Sequence, residues 1–380
     1  MTAKKTDAHS PSQTDQSGQS LPEEREDIRV MIVDDSLTVR TIFKRMVESR
    51  PGMAVVGTAG SGERAIAQLQ STPADVVLLD LEMPGMGGLE ALPEILRAAE
   101  NAQVLVVSSL TDDGAEHTVA ALSMGAADTM LKPRPGGFND DYRELLLDKI
   151  SALGGAESDS QESDEQPAAA SPKSGSIPCG KRPQILAIGA STGGIHALNL
   201  LLKNLPPEFD LPILITQHLP ASFVPVFARQ IEMTCARGTL IAEDGTVVGR
   251  GEVAIATGHG HMIVKRRGEQ LKMGISTSPA RSGCLPSVDP MLSSMAEAYE
   301  GRALAIILSG MGRDGLEGAK DLSAAGGTIF AQDAESSAVW GMPGAVSKAG
   351  LVSTIAPPEE LAKAVLAIAD PKSVDAPAWK

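Results

Sequence analysis

The chain has 380 residues, a formal net charge of -15, 42% apolar residues and 3% aromatics. That length suits two or three domains with aliphatic cores. An acidic chain with few aromatic rings disfavours nucleic acid as a partner, because it lacks cations for phosphates and platforms for bases.

In chain order, residues 1–27 are rich in Ser, Gln, Thr, Glu and Asp. They are expected to be a disordered extension, with no apolar h-region that would mark a secretory leader. Residues 28–150 read as a first domain. Its apolar runs Val30–Val33, Ala54–Val56, Val76–Leu79 and Val104–Val107 suit strands buried on both faces, and helical spacing such as Arg64–Leu69 lies between them. Residues 151–183 carry Gly154-Gly155 near their start, turn acidic and Ser-rich, then run through Ala, Pro and Lys, the composition of a flexible linker. Residues 184–370 repeat the strand–helix alternation, with runs at Ile185–Ile188, Ile213–Thr216 and Leu304–Leu308. Residues 371–380 form a short tail. The fold class is therefore α/β, with two domains built on mainly parallel sheets. No apolar run approaches the roughly 18 residues of a membrane span. Cys179, Cys235 and Cys284 are too scattered for a disulfide framework or a CxxC metal site, which fits a reducing cytoplasm.

In parallel α/β sheets, functional groups collect at the carboxyl ends of the strands. In the first domain those ends carry Asp34-Asp35, Asp80, Ser108 and, after a fifth strand, Lys132. Gathered carboxylates repel one another unless a cation joins them, and hard oxygen donors suit Mg²⁺. A neighbouring lysine and hydroxyl can balance an incoming phosphoryl group, leaving one carboxylate as nucleophile. A lone Asp at a strand end is normally a solvated cap; matching features on successive strands argue for a pocket. This arrangement, with the run Asp80-Leu81-Glu82-Met83-Pro84-Gly85-Met86-Gly87-Gly88, resembles the receiver domain of two-component response regulators. The resemblance implies a flavodoxin-like fold with Asp80 as phospho-acceptor. It also implies Mg²⁺ held by Asp35, Asp80 and the Glu82 carbonyl, with Asp34 acting through a water. Ser108 and Lys132 would contact the phosphoryl group. Thr129 departs from the family, which often carries an aromatic three residues before the lysine.

In the second domain a strand ending at Ile188 runs into Gly189-Ala190-Ser191-Thr192-Gly193-Gly194, and a helical pattern follows. The spelling G-x-S-x-G at a strand–turn–helix junction is that of a nucleophile elbow. A phosphate-binding turn is the plainer alternative, but both the G-x-G-x-x-G fingerprint and a P-loop lysine are missing. His218 ends the next strand and Asp314 follows the strand Leu304–Leu308, so Ser, His and Asp share the strand ends. Their order differs from the Ser, acid, His order of α/β-hydrolases. His196 is expected on a helix face, and His259 and His261 are expected in a loop, without acidic or thiol partners for a metal.

Ile188–Gly194, Thr216-Gln217-His218, Pro286-Ser287-Val288-Asp289, Gly310–Gly315 and Gly341-Met342-Pro343 resemble the catalytic domain of chemotaxis protein-glutamate methylesterases. The resemblance implies a doubly wound esterase domain with Ser191 as nucleophile, His218 as base and Asp314 as its orienter. The Met311 backbone N–H would serve an oxyanion hole, with Thr192 assisting. It implies methylated chemoreceptors as substrate, a chemotaxis histidine kinase as phosphoryl donor, and deamidation of receptor glutamines by the same acyl chemistry. Ser282-Gly283-Cys284-Leu285 departs from the basic, histidine-containing stretch of many members. Two rivals follow from the same organisation. A response regulator with a binding output would need a basic DNA-binding module, and an esterase for small-molecule or lipid esters would need no receptor.

Overall fold

The structure is a computed structural model, and it describes residues 27–99, 102–108, 111–133, 137–155, 182–267 and 270–369. The expected N-terminal extension, most of the linker and the tail lie outside the described residues.

The first domain alternates β1 (Ile28–Val33), α1 (Leu37–Val47), β2 (Met53–Ala59), α2 (Gly62–Leu69), β3 (Val76–Asp80), α3 (Gly88–Ala98), β4 (Gln103–Ser108), α4 (Asp112–Met124), β5 (Asp128–Leu131) and α5 (Asp140–Leu153). The strands form one parallel sheet in the order β2-β1-β3-β4-β5. The order reverses beside β1, so the ends of β1 and β3 open onto a crevice, and this is the flavodoxin-like topology expected. All five residues of β3 are buried, which explains a continuous apolar run rather than an alternating one. The expected boundary at 150 falls within α5. Helix α5 continues to Leu153 because Ile150, Ala152 and Leu153 are buried in its last turns, and Gly154 then lies against Ile28.

The second domain runs β6 (Ile185–Ala190), α6 (Gly194–Lys203), β7 (Ile213–Gln217), α7 (Val224–Cys235), β8 (Thr239–Ile241), β9 (Val253–Ile255), β10 (His261–Arg267), β11 (Gln270–Ser276), α8 (Val288–Tyr299), β12 (Ala303–Ile307), α9 (Leu316–Ala324), β13 (Thr328–Gln332), α10 (Met342–Lys348), β14 (Thr354–Ala356) and α11 (Pro358–Ala369). Its parallel sheet has the order β14-β13-β12-β6-β7-β9-β8, and β10 and β11 form a separate antiparallel hairpin. The order reverses between β12 and β6, so the turns after those two strands face one crevice.

The domains are packed together. Val119 and Leu122 of α4 belong to one apolar cluster with residues of α6 and α7, such as Leu198 and Phe227. Gly193 N–H donates to the Ala127 carbonyl at 2.5 Å, and Glu116 pairs with Arg229 at 3.1 Å. A cavity of about 430 Å³ lies on this seam, with Thr129 and Tyr142 on one side and His218 and Leu285 on the other.

Candidate active site

The receiver crevice gathers the residues expected there. Oxygens of Asp34, Asp35 and Asp80 lie within 4.8 Å of one another; Asp34 and Asp80 are buried and Asp35 is exposed. Lys132 Nζ stands 2.7 Å from both Asp34 Oδ2 and Asp80 Oδ2, and only the Asp80 contact has hydrogen-bond alignment. Burial pushes the Asp80 carboxyl up to about 6; Lys132 opposes this and Asp34 adds to it. Ser108 closes β4, and its buried Oγ has no partner among the described residues. An all-oxygen donor set beside an unsatisfied hydroxyl fits Mg²⁺ with a phosphoryl group.

In the second domain the elbow is built by backbone. Gly193 takes φ +76, and a Cβ there would lie 2.6 Å from Ser309 Oγ, so the turn after Ser191 needs glycine. The Ser191 amide donates to the Ser309 carbonyl at 3.0 Å, tying the turn after β6 to the turn after β12. Ser191 Oγ is 3.1 Å from His218 Nδ1, and His218 Nε2 is 2.7 Å from Asp314 Oδ2. Asp314 is buried and sits at the amino end of α8. Oδ2 accepts from Val288 N–H at 2.7 Å, and Oδ1 accepts from Ser287 Oγ at 2.6 Å. Burial works against its charge, but His218, Ser287 and the Val288 amide hold the carboxyl well below the usual range. Burial also works against a charged His218. Hydrogen bonds and charge from Asp314 and the Cys284 sulfur outweigh it and push His218 up to about 9.

Met311 follows Gly310, where a Cβ would lie 2.8 Å from Ser191 Cβ, and its amide meets no acceptor among the described residues. Its position suits an oxyanion donor. Thr192 does not turn toward the triad. Its Oγ1 donates to Asp128 Oδ2 across the domain seam at 2.6 Å, where Lys149 also pairs.

Two residues differ from the sequence reading. His261 is the first residue of β10 rather than a loop residue, and it is 2% exposed. Its Nδ1 accepts from the Ser287 amide at 3.0 Å and its Nε2 faces the Ser278 carbonyl at 2.9 Å. Ser287 needs an acceptor and Ser278 a donor, so the ring is the neutral Nε2–H tautomer. It braces the segment that holds Asp314. A histidine ending a polar turn before a strand, far in sequence from Asp314, carried no signal of this. Cys284 had no histidine beside it in sequence, yet the fold places it against His218. His196 lies on α6 as expected and faces the Ser123 carbonyl of the first domain at 3.3 Å.

The comparisons with known proteins agree with this geometry. The CheB methylesterase family profile matches residues 186–365, and the response regulator receiver domain profile matches residues 30–137. A protein-glutamate methylesterase/protein-glutamine glutaminase 1 of Rhodospirillum rubrum is 40% identical, over 89% of this chain and 94% of its own. The protein-glutamate methylesterase/protein-glutamine glutaminase of Azospirillum brasilense is 39% identical, over 88% and 91%. The crystal structure of the Thermotoga maritima CheB methylesterase catalytic domain is 34% identical, over 48% of this chain and 97% of that one, with a TM-score of 0.46. With both domains matched in order and relatives aligned over nearly their whole length, the chain belongs to the family of protein-glutamate methylesterases/protein-glutamine glutaminases that carry a response regulator receiver domain.

Proposed function

We propose that the chain is a phosphorylation-controlled hydrolase that demethylates glutamate methyl esters on chemoreceptors and deamidates receptor glutamines. The observation that carries the reading is the unbroken chain of contacts from Ser191 through His218 to Asp314. Ser191 Oγ attacks the ester carbonyl while His218 Nδ1 takes its proton. The Met311 N–H stabilises the oxyanion, and Asp314 stabilises the imidazolium. His218 then gives the proton to departing methanol, leaving an acyl-Ser191. Water, activated by the same nitrogen, releases the glutamate carboxylate. With glutamine the leaving group is ammonia and the steps are the same.

The receiver supplies control. Asp80 would take a phosphoryl group from a histidine kinase. Asp35, Asp80 and the Glu82 carbonyl would hold Mg²⁺, with Asp34 acting through a water, and the ion would supply charge neutralisation for that transfer. Ser108 and Lys132 would meet the phosphoryl oxygens. Docking of the receiver next to Ser191, through Asp128–Thr192 and Ala127–Gly193, supports restraint of the unphosphorylated enzyme. No helix among the described residues is long and apolar enough to cross a membrane, and the cytoplasm is the proposed site of action.

The test is methanol release from methylated receptor-bearing membranes, with and without a small phosphodonor. Release that needs Ser191 and rises with the donor supports the reading. Release from small esters alone, with receptors untouched, rejects it.

A further inference from the structure

Cys284 enters no step of this hydrolysis, yet it stands beside the residues that do. Its sulfur, a ring nitrogen of His218 and a carboxylate oxygen of Asp314 lie within 4.8 Å of one another. The loops after β7 and β12 and the loop ahead of α8 bring them together. We propose that these three side chains form a binding site for a thiophilic divalent cation of the zinc type, and that filling it switches the esterase off.

The donor set favours such an ion. Thiolate, imidazole and carboxylate are the three side-chain ligand types of zinc, at bond lengths of about 2.0–2.3 Å. Magnesium prefers oxygen donors in an octahedron, which the cluster of Asp34, Asp35 and Asp80 supplies instead. Tetrahedral zinc with those bonds sets donors roughly 3.3–3.6 Å apart, so donors up to 4.8 Å apart must close by about 1.5 Å at most. The Asp314–His218 pair, 2.7 Å apart, must open slightly. The Cys284 side is held by long contacts, its amide donating to Ser282 Oγ at 3.3 Å and its thiol to the Ser282 carbonyl at 3.8 Å, in an exposed stretch: Ser282 and Gly283 are exposed, Gly283 takes φ +71, and Leu285 is 54% exposed. The Asp314 side is already fixed, since Ser287 Oγ holds its other oxygen at 2.6 Å. A fourth position remains for water, as in an open zinc site.

Binding displaces the Cys284 thiol proton and, from a protonated His218, one ring proton, both released to solvent. The imidazole donates its lone pair and keeps one N–H; no electron changes hands. An imidazole whose lone pair sits on a metal cannot take the Ser191 proton. That inhibitory consequence rests on the proposed triad, whereas the coordination does not.

The experiment uses the full chain in excess Mg²⁺, so that the receiver carboxylates are filled. Titration with Co²⁺ should give about one bound ion per chain with a thiolate-to-cobalt charge-transfer band. Zn²⁺ should displace it. Cys284→Ser should lack the band, and Cys235→Ser and Ser191→Ala should keep it. Zn²⁺ should inhibit hydrolysis of a small activated ester at a concentration at least ~10-fold lower in the wild type than in Cys284→Ser, each against its own metal-free rate. In the wild type, Zn²⁺ should shield Cys284 from alkylation without changing Cys235, a readout that needs no variant. Absence of both the band and the shielding overturns the site. Equal zinc sensitivity with and without the thiol overturns its inhibitory role. An active Ser191→Ala would instead sink the triad reading and leave the cobalt spectrum as it was.

Discussion

In the receiver crevice, Asp34 Oδ2 and Ser108 Oγ are buried without a hydrogen bond among the described residues. In the esterase crevice, Asp314 is buried as deeply, and His218, Ser287 and the Val288 amide meet both of its oxygens. Both clusters sit where the strand order of a parallel sheet reverses. The first is held by Lys132 but keeps a hydroxyl and a carboxylate oxygen without a hydrogen bond, which suits a charged cargo that arrives and leaves. The second is set before any substrate arrives, as a triad must be to stabilise charge without reorganising.

The comparison breaks most sharply at Ser191. Ser191→Ala should lower kcat by about 10⁴–10⁶, His218→Ala by a similar factor, and the double variant by little more. Additive losses in single-turnover assays would mean that the residues do not act together. Asp314→Asn should cost roughly 10³–10⁴ in kcat, because an amide fixes the wrong tautomer of His218. A loss confined to KM would count against that role. On the receiver side, a phosphodonor with Mg²⁺ should raise wild-type receptor demethylation by about 5–150-fold, and Asp80→Asn should show neither stimulation nor a base-labile label. A label that survives in Asp80→Asn would move the acceptor. His261→Phe tests whether bracing matters: removing the acceptor of a buried amide while keeping a ring in place should lower kcat about 10-fold with KM little changed. A full-speed variant whose melting point alone falls would make His261 merely structural. The smallest effect is expected at the seam. Asp128→Ala removes the acceptor of Thr192 and the partner of Lys149, and should raise the unphosphorylated rate about 5-fold. An unchanged rate would separate docking from restraint.

What the sequence made legible follows from chain locality. Val76–Leu79 and Ile185–Ile188 are unbroken apolar runs, so their strands and the motifs at their ends could be read directly. Ser191, His218 and Asp314 could be assembled because each ends a recognisable strand. His261, Ser287 and Cys284 could not, since they sit in short or irregular segments whose neighbours are set by tertiary packing. The end of α5 at Leu153 was hard to read for a related reason. The last turn of α5 is held by burial of Ala152 and Leu153 against the sheet, and its own sequence gives no stop signal before Gly154-Gly155. The engagement of Thr192 with Asp128 joins two domains, and no pattern within either one announces it.

Strand β5 is the last strand of its sheet and, among the described residues, pairs with β4 alone, over Asp128–Leu131. An outermost strand offers unpaired backbone groups to any passing chain, and such edges seed aggregation when they are long, flat and apolar. Here the edge is four residues long, with Asp128 at one end and Lys132 just past the other, and the docked esterase lies against its approach through Ala127 and Asp128. Were the domains to part as proposed, the edge would be uncovered, but a short strand flanked by opposite charges is a poor template for intermolecular pairing. Control by undocking would then carry little risk of turning that strand into a site of self-association.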